Sequence, residues 1–157
     1  MTAHSSARGG APVGYLSEIS GLERRSVSLL RMWCSDVPSQ KLVEDKLETT
    51  LGVERGHQAV DCLRQICDMF SRHGRRPIMR HHPDCACLGG DEACFANFVG
   101  ASSEGQREDA LLFAMLMVRP DFAPCLVALG EQFGLALKSM EQTTYPDNVV
   151  PLSQAVH

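Results

Sequence analysis

From Leu16 onward the apolar residues recur at helical spacing. Ile19, Leu22, Leu29, Leu30 and Trp33 stand three, four or seven apart, which gathers them on one face of an α-helix. The pattern stops at CSDVPSQ, where Pro38 ends one helix and lets the next begin. A second helix over 40–51 turns Leu42, Val43, Leu47 and Leu51 inward, with Gly52 as its stop. The third stripe is the most regular. Ala59, Val60, Leu63, Ile66, Cys67 and Phe70 share one side, with Asp61, Arg64, Gln65 and Asp68 opposite. Gly74 closes it.

The next stretch, RRPIMRHHPDCACLGG, resists any regular period, because prolines and a double glycine bracket it. Asp91 then predicts an N-cap for a short helix over 92–99 carrying Phe95 and Phe98. Ser103 and Gln106 have the spacing of a capping box for a helix over 104–118. That helix is apolar nearly all round near its end and is expected to sit centrally. Arg119 and Pro120 break it. A final helix over 122–141 carries Leu126, Leu129, Phe133, Ala136, Leu137 and Met140 on one stripe.

No segment alternates with a period of two, and no repeat is visible. The expected fold is all-α, a single-domain bundle of five to six helices with an irregular Cys/His-rich loop in the middle. Residues 1–13 are expected as a disordered arm, 14–142 as the helical domain with its loop at 75–94, and 143–157 as a tail.

Bulk properties narrow the class. A chain of 157 residues fits one hydrophobic core. A net charge of −4 disfavours a general nucleic-acid binder. The longest apolar run, ALLFAMLMV, is nine residues against the roughly 20 that a bilayer requires, so no membrane partner is expected. MTAHSSARGGAPVG carries no apolar segment of a secretory leader, and a cytoplasmic location is expected. There, seven cysteines point to metal binding, catalysis or buried thiols rather than a disulfide scaffold.

The chemistry concentrates in RHHPDCACLGGDEACF. His81, His82, Cys85, Cys87 and Cys94 are the donor types that zinc takes, usually four at a time. Pro83 stiffens the approach and Gly89–Gly90 lets the chain reverse. His81-x3-Cys85 resembles the opening of the His-x3-Cys-x2-Cys pattern of zinc-binding anti-sigma factors, whose second half this chain lacks. Cys85 and Cys87 are one residue apart, where zinc motifs use two to four.

The same thiols could instead form a redox switch, with Arg80, His81 and His82 lowering the pKa of the attacking sulfur. No signature of a cysteine hydrolase, P-loop or dinucleotide site accompanies them, which leans away from an enzyme. Cys34, Cys62, Cys67 and Cys125 fall on predicted helices and read as small core residues.

Arg72, Arg75, Arg76 and Arg80 cluster before the loop and could dock an anion or an acidic partner. LGVERGHQAV has the outline of a helix-turn-helix, but its second helix is too acidic to favour phosphates. The expectation is therefore a binding or regulatory protein with a structural zinc at 81–94, acting through a protein partner or a second copy of itself. A thiol switch at Cys85, Cys87 and Cys94 is the alternative, and a DNA-binding regulator a further one.

Overall fold

The computed structural model describes residues 8–144. Six α-helices make up most of them: α1 Gly21–Trp33, α2 Val37–Leu51, α3 Val53–His73, α4 Gly90–Ser103, α5 Arg107–Met117 and α6 Ala123–Thr144. The expected helical architecture is found. A small antiparallel sheet is added to it, pairing β1, Pro12–Tyr15, with β2, Cys87–Gly89. None of the described helices is long and apolar enough to cross a membrane.

Local chemistry sets the helix ends. Ser20 and Glu23 close a capping box at the start of α1, satisfying amides that have no partner inside the helix. Asp36 caps α2 by accepting from the Ser39 amide at 2.7 Å, and Pro38 occupies the first turn. Gly52 alone joins α2 to α3, with φ of 90°, a left-handed conformation that glycine adopts without a steric penalty. α3 and α6 are the longest helices, at 21 and 22 residues. α6 touches α1, α2, α3, α4 and α5, and Phe95, Phe98, Leu63, Ile66, Leu126, Phe133, Leu137 and Met140 fill the space between them, all but fully buried.

Several expected boundaries move, for physical reasons. The expected arm is ordered in its second half: Arg8–Gly10 forms a 3-10 turn and Pro12–Tyr15 a strand, because β2 offers β1 a pairing edge. Residues 1–7 of that arm and 145–157 of the expected tail lie outside the described residues. The irregular loop is shorter than expected, since 87–89 is strand and α4 begins at Gly90 and runs on to Ser103.

Asp91 is not the cap of α4. Its carboxylate is taken by Arg76 and by the Met79 amide, and Glu92 accepts from the Gly89 amide instead. The Ser103–Gln106 box is absent because the Ser103 hydroxyl donates to the Gly100 carbonyl within α4. Leu42 is 58% exposed and Leu112 and Leu116 more so. α2 is therefore anchored by Val43 and Leu47, and α5 buries only one face, through Ala110, Ala114 and Met117.

The α2–α3 hairpin is close-packed at its hinge. A Cβ on Gly56 would lie 2.6 Å from the Glu48 Cα, closer than real contacts allow. Alanine normally favours a helix over glycine by about 1 kcal/mol, but here the backbone of α2 stands in the way. Gly56→Ala is expected to lose stability by about 1–3 kcal/mol, the usual cost of overpacking, read as a lower urea midpoint. An unchanged or higher midpoint would show that the two helices can move apart freely.

Candidate functional site

The loop between α3 and α4 is organised around a buried arginine. Arg31, near the end of α1, is 2% exposed, and its five N–H groups all find acceptors. Nε and Nη2 donate to the Glu92 carboxylate at 2.6 and 2.8 Å. Nη1 donates to the carbonyls of Cys85 at 2.7 Å and His82 at 3.3 Å, and Nη2 to that of Cys87 at 2.6 Å. Glu92, fully buried, also accepts from the amides of His81 and Gly89. Burial pushes the Glu92 carboxyl up, but Arg31 and the two amides outweigh it and hold it below the usual carboxylate range.

This knot fixes the backbone of residues 81–89 and so aims their side chains. The His81 ring is held between two partners. Its Nε2 donates to the Gly10 carbonyl at 2.6 Å, and its Nδ1 lies 3.4 Å from Cys85 Sγ. A ring whose Nε2 must carry a proton meets the sulfur in one of two ways. It accepts the thiol proton at Nδ1, or, as imidazolium, donates to a thiolate.

The contact with His81 lowers the Cys85 pKa, helped by the Cys87 amide and thiol, and the Cys85 contact raises that of His81. Cys87 is moved the other way, raised by burial and by the neighbouring Cys85. The segment around Gly10 thus belongs to the site: β1 pairs with β2, Leu16 donates to the Ala86 carbonyl, and Gly90 to that of Ala11.

The five expected metal donors do not come together. His81, Cys85 and Cys87 share the loop. The His82 ring is turned outward beside Asp84, and Cys94 sits on α4 facing the Phe113 carbonyl of α5, 3.7 Å away. Burial, then Asp91, raises the Cys94 thiol to about 11. Among the described residues no group of three or more His, Cys, Asp and Glu side chains is placed to hold a metal. The loop backbone reverses over the Arg31 guanidinium.

The four arginines divide as well. Arg72 pairs with Asp68 on the α3 surface, whereas Arg75, Arg76 and Arg80 line a cleft of about 570 Å³ beside the loop. On the exposed face of α3, Arg64 also pairs with Asp61, so Arg64 and Arg72 on the helix that a helix-turn-helix would present are each matched by a carboxylate, while Arg55 donates to the Ser139 hydroxyl.

Three features were not foreseen from the residues. Arg31 lies four residues after buried Val27, and Glu92 three after Gly89, so a charge in an apolar stripe and a capping spacing were the available signals. The Arg76–Asp91 pair had no local signal. Cys34 and Cys67, expected as separate core residues, face one another with sulfurs 3.8 Å apart, and Cys125 is exposed rather than buried. Neither a known protein family, nor a curated protein, nor a solved structure matches the chain.

Arg31→Ala leaves a buried carboxylate and three loop carbonyls without their donor. Breaking one side of a buried pair costs about 3–5 kcal/mol, and urea unfolding should show a loss of that order. The double variant Arg31→Met, Glu92→Gln should lose less than the sum of its singles; additive losses would mean the pair does not act as a unit.

Acid stability follows from the same carboxyl. Because its folded pKa lies below the unfolded one, its contribution is complete above the ordinary glutamate value of about 4.3 and disappears as pH falls through the folded value. Glu92→Gln should flatten the decline in urea midpoint below pH 5, and an unaltered acid limb would count against the carboxylate's role.

Proposed function

We propose that this is a small thiol-regulated binding protein whose responsive element is the 81–87 loop, with Cys85 as the oxidant-reactive thiol. The observation that carries this reading is the 3.4 Å contact between His81 Nδ1 and Cys85 Sγ. An imidazole next to a partly exposed thiol favours the thiolate, which is the nucleophilic form. A peroxide is the simplest oxidant for it. The Cys85 thiolate attacks the O–O bond, the sulfur becomes a sulfenic acid, and the departing hydroxide takes up a proton as water.

Cys87 is the resolving thiol that position favours. Residues two apart in an extended chain are separated by about 6.6 Å, inside the span that a disulfide bridges. Its sulfur attacks the Cys85 sulfur, the S–S bond forms, and the sulfenic oxygen leaves as water with the Cys87 proton. Cys94, at the Phe113 carbonyl, is less well placed for this step.

Regulation follows from the backbone. The carbonyls of Cys85 and Cys87 both rest on Arg31, so a ring closed between the two side chains pulls on the contact that ties the loop to α1 and α4. A structural zinc in 81–94 has less behind it. A four-ligand site built on His81, Cys85 and Cys87 requires either His82 to turn in from solvent or Cys94 to leave the Phe113 carbonyl, whereas the thiol chemistry draws on the His81–Cys85 contact alone. One equivalent of zinc in freshly purified protein would reverse that order.

Alkylation by iodoacetamide, followed by peptide mapping, tests the reading. Cys85 should react faster at neutral pH than the exposed Cys125, with a midpoint below the ordinary cysteine value of about 8.5. His81→Gln, which keeps a donor for the Gly10 carbonyl and removes the titrating nitrogen, should move that midpoint up. Mild peroxide should remove two hydrogens from the peptide holding Cys85 and Cys87, reversibly with dithiothreitol. A Cys85 that reacts no faster than Cys125 and is unaffected by His81→Gln would sink the proposal.

A further inference from the structure

We propose that Cys34 and Cys67 form a second reactive dithiol, at the floor of the cleft between α1, α3 and the 74–80 segment, and that it exchanges with a small anionic disulfide. The site is distinct from the loop thiols in residues and in surroundings. Cys34 is the C-cap of α1 and Cys67 lies within α3. Their sulfurs are 3.8 Å apart, so only a modest side-chain adjustment separates them from a bond of about 2.05 Å.

The cleft over them has a volume of about 570 Å³, within the range of small-molecule sites, roughly 300–1,000 Å³. Leu30, Phe70 and Ile78 form its apolar walls, and Arg75, Arg76 and Arg80 its rim; no Asp or Glu is among the lining residues. Arg76 is neutralised by Asp91 behind it. Arg75 donates through Nε to the Met115 carbonyl and Arg80 to backbone carbonyls, contacts that orient the two guanidinium groups and leave their charge unmatched by any carboxylate in the cleft. The rim therefore selects for negative charge.

The two sulfurs are not equivalent. As the C-cap of α1, Cys34 meets the negative end of the helix dipole, which works against a thiolate. Against this, Arg80 reaches the Cys34 carbonyl through Nη2 at 3.5 Å, and the hydrogen bond from Cys67 and the Arg80 charge, opposed by burial, lower the Cys34 thiol from its ordinary value. The same hydrogen bond, with burial, raises Cys67. Cys34 is the attacking sulfur and Cys67 the resolving one.

The exchange balances without a further reactant. The Cys34 thiolate attacks one sulfur of the disulfide, the ligand's S–S bond breaks, and one ligand thiolate leaves and is protonated by solvent. Cys67 then loses its proton and attacks Cys34 Sγ, releasing the second ligand thiol. Two protein thiols are oxidised by two electrons to a disulfide joining the end of α1 to the middle of α3, and the ligand disulfide is reduced to two thiols.

Glutathione disulfide is the probe, used on the full chain with Cys85→Ser and Cys87→Ser so that the loop cannot contribute an adduct. Non-reducing peptide mapping should show Cys34 linked to Cys67. Adding Cys67→Ser should trap one glutathione on Cys34, whereas adding Cys34→Ser should leave Cys67 unmodified. Cystamine, a cationic disulfide of smaller size, should react about tenfold more slowly at low salt, and Arg80→Gln should erase most of that preference.

Arg80 is exposed, so its variant also serves where loss of a thiol disturbs folding, with circular dichroism as the check. Equal rates for the two disulfides in the parent protein, or an adduct that forms on Cys67 first, would overturn the proposal. Failure here leaves the Cys85 reading untouched, because that reading is measured on separate peptides.

Discussion

A guanidinium cannot shed its charge at any pH the chain will meet, so burying one obliges the fold to bring an acceptor to every N–H. Arg31 imposes that obligation, and the structure meets it with one carboxylate and three carbonyls from a segment more than fifty residues away. Of the 74–89 stretch only Cys87–Gly89 is regular, as β2 paired with β1. The loop has a shape because the arginine requires three of its carbonyls in fixed places, and the start of α4 has its position because Glu92 must face the same group. An arrangement of this kind contributes less to net stability than to uniqueness: apolar side chains could fill the space, but they would not dictate which carbonyls point inward.

Most of the bundle was legible in the sequence because helical periodicity is a local signal. The α3 stripe from Ala59 to Phe70 is buried largely as its spacing implies. Boundaries were less legible where a side chain had a better partner elsewhere. Asp91 has the composition of a cap, yet Arg76 and the Met79 amide hold its carboxylate, and Ser103 bonds within its own helix.

For the candidate site, the sequence shows the donor residues but not the residues that order them. Cysteine and histidine crowding marks the loop at 81–87, whereas the residues that order it, Arg31 and Glu92, are sixty-one positions apart. No sequence period reports a pairing at that distance. The facing of Cys34 and Cys67 across thirty-three positions is hidden for the same reason. The extended segment at Pro12–Tyr15 was hidden too, since its partner strand is only three residues long and lies in the loop itself.

Adjacent residues at the start of α4 reach in opposite directions. Asp91 gathers Arg76 and Met79 from one side of the loop, and Glu92 gathers Arg31, His81 and Gly89 from the other. Gly9 lies against the Asp91 carboxylate, where even a methyl group would collide. The amino-terminal segment, both ends of the loop and the tip of α1 are therefore fastened at a single helical turn. Segments fastened at one turn are expected to lose hydrogen-exchange protection together when it unwinds, so the chain around Gly10, His81 and Cys87 behaves as one unit.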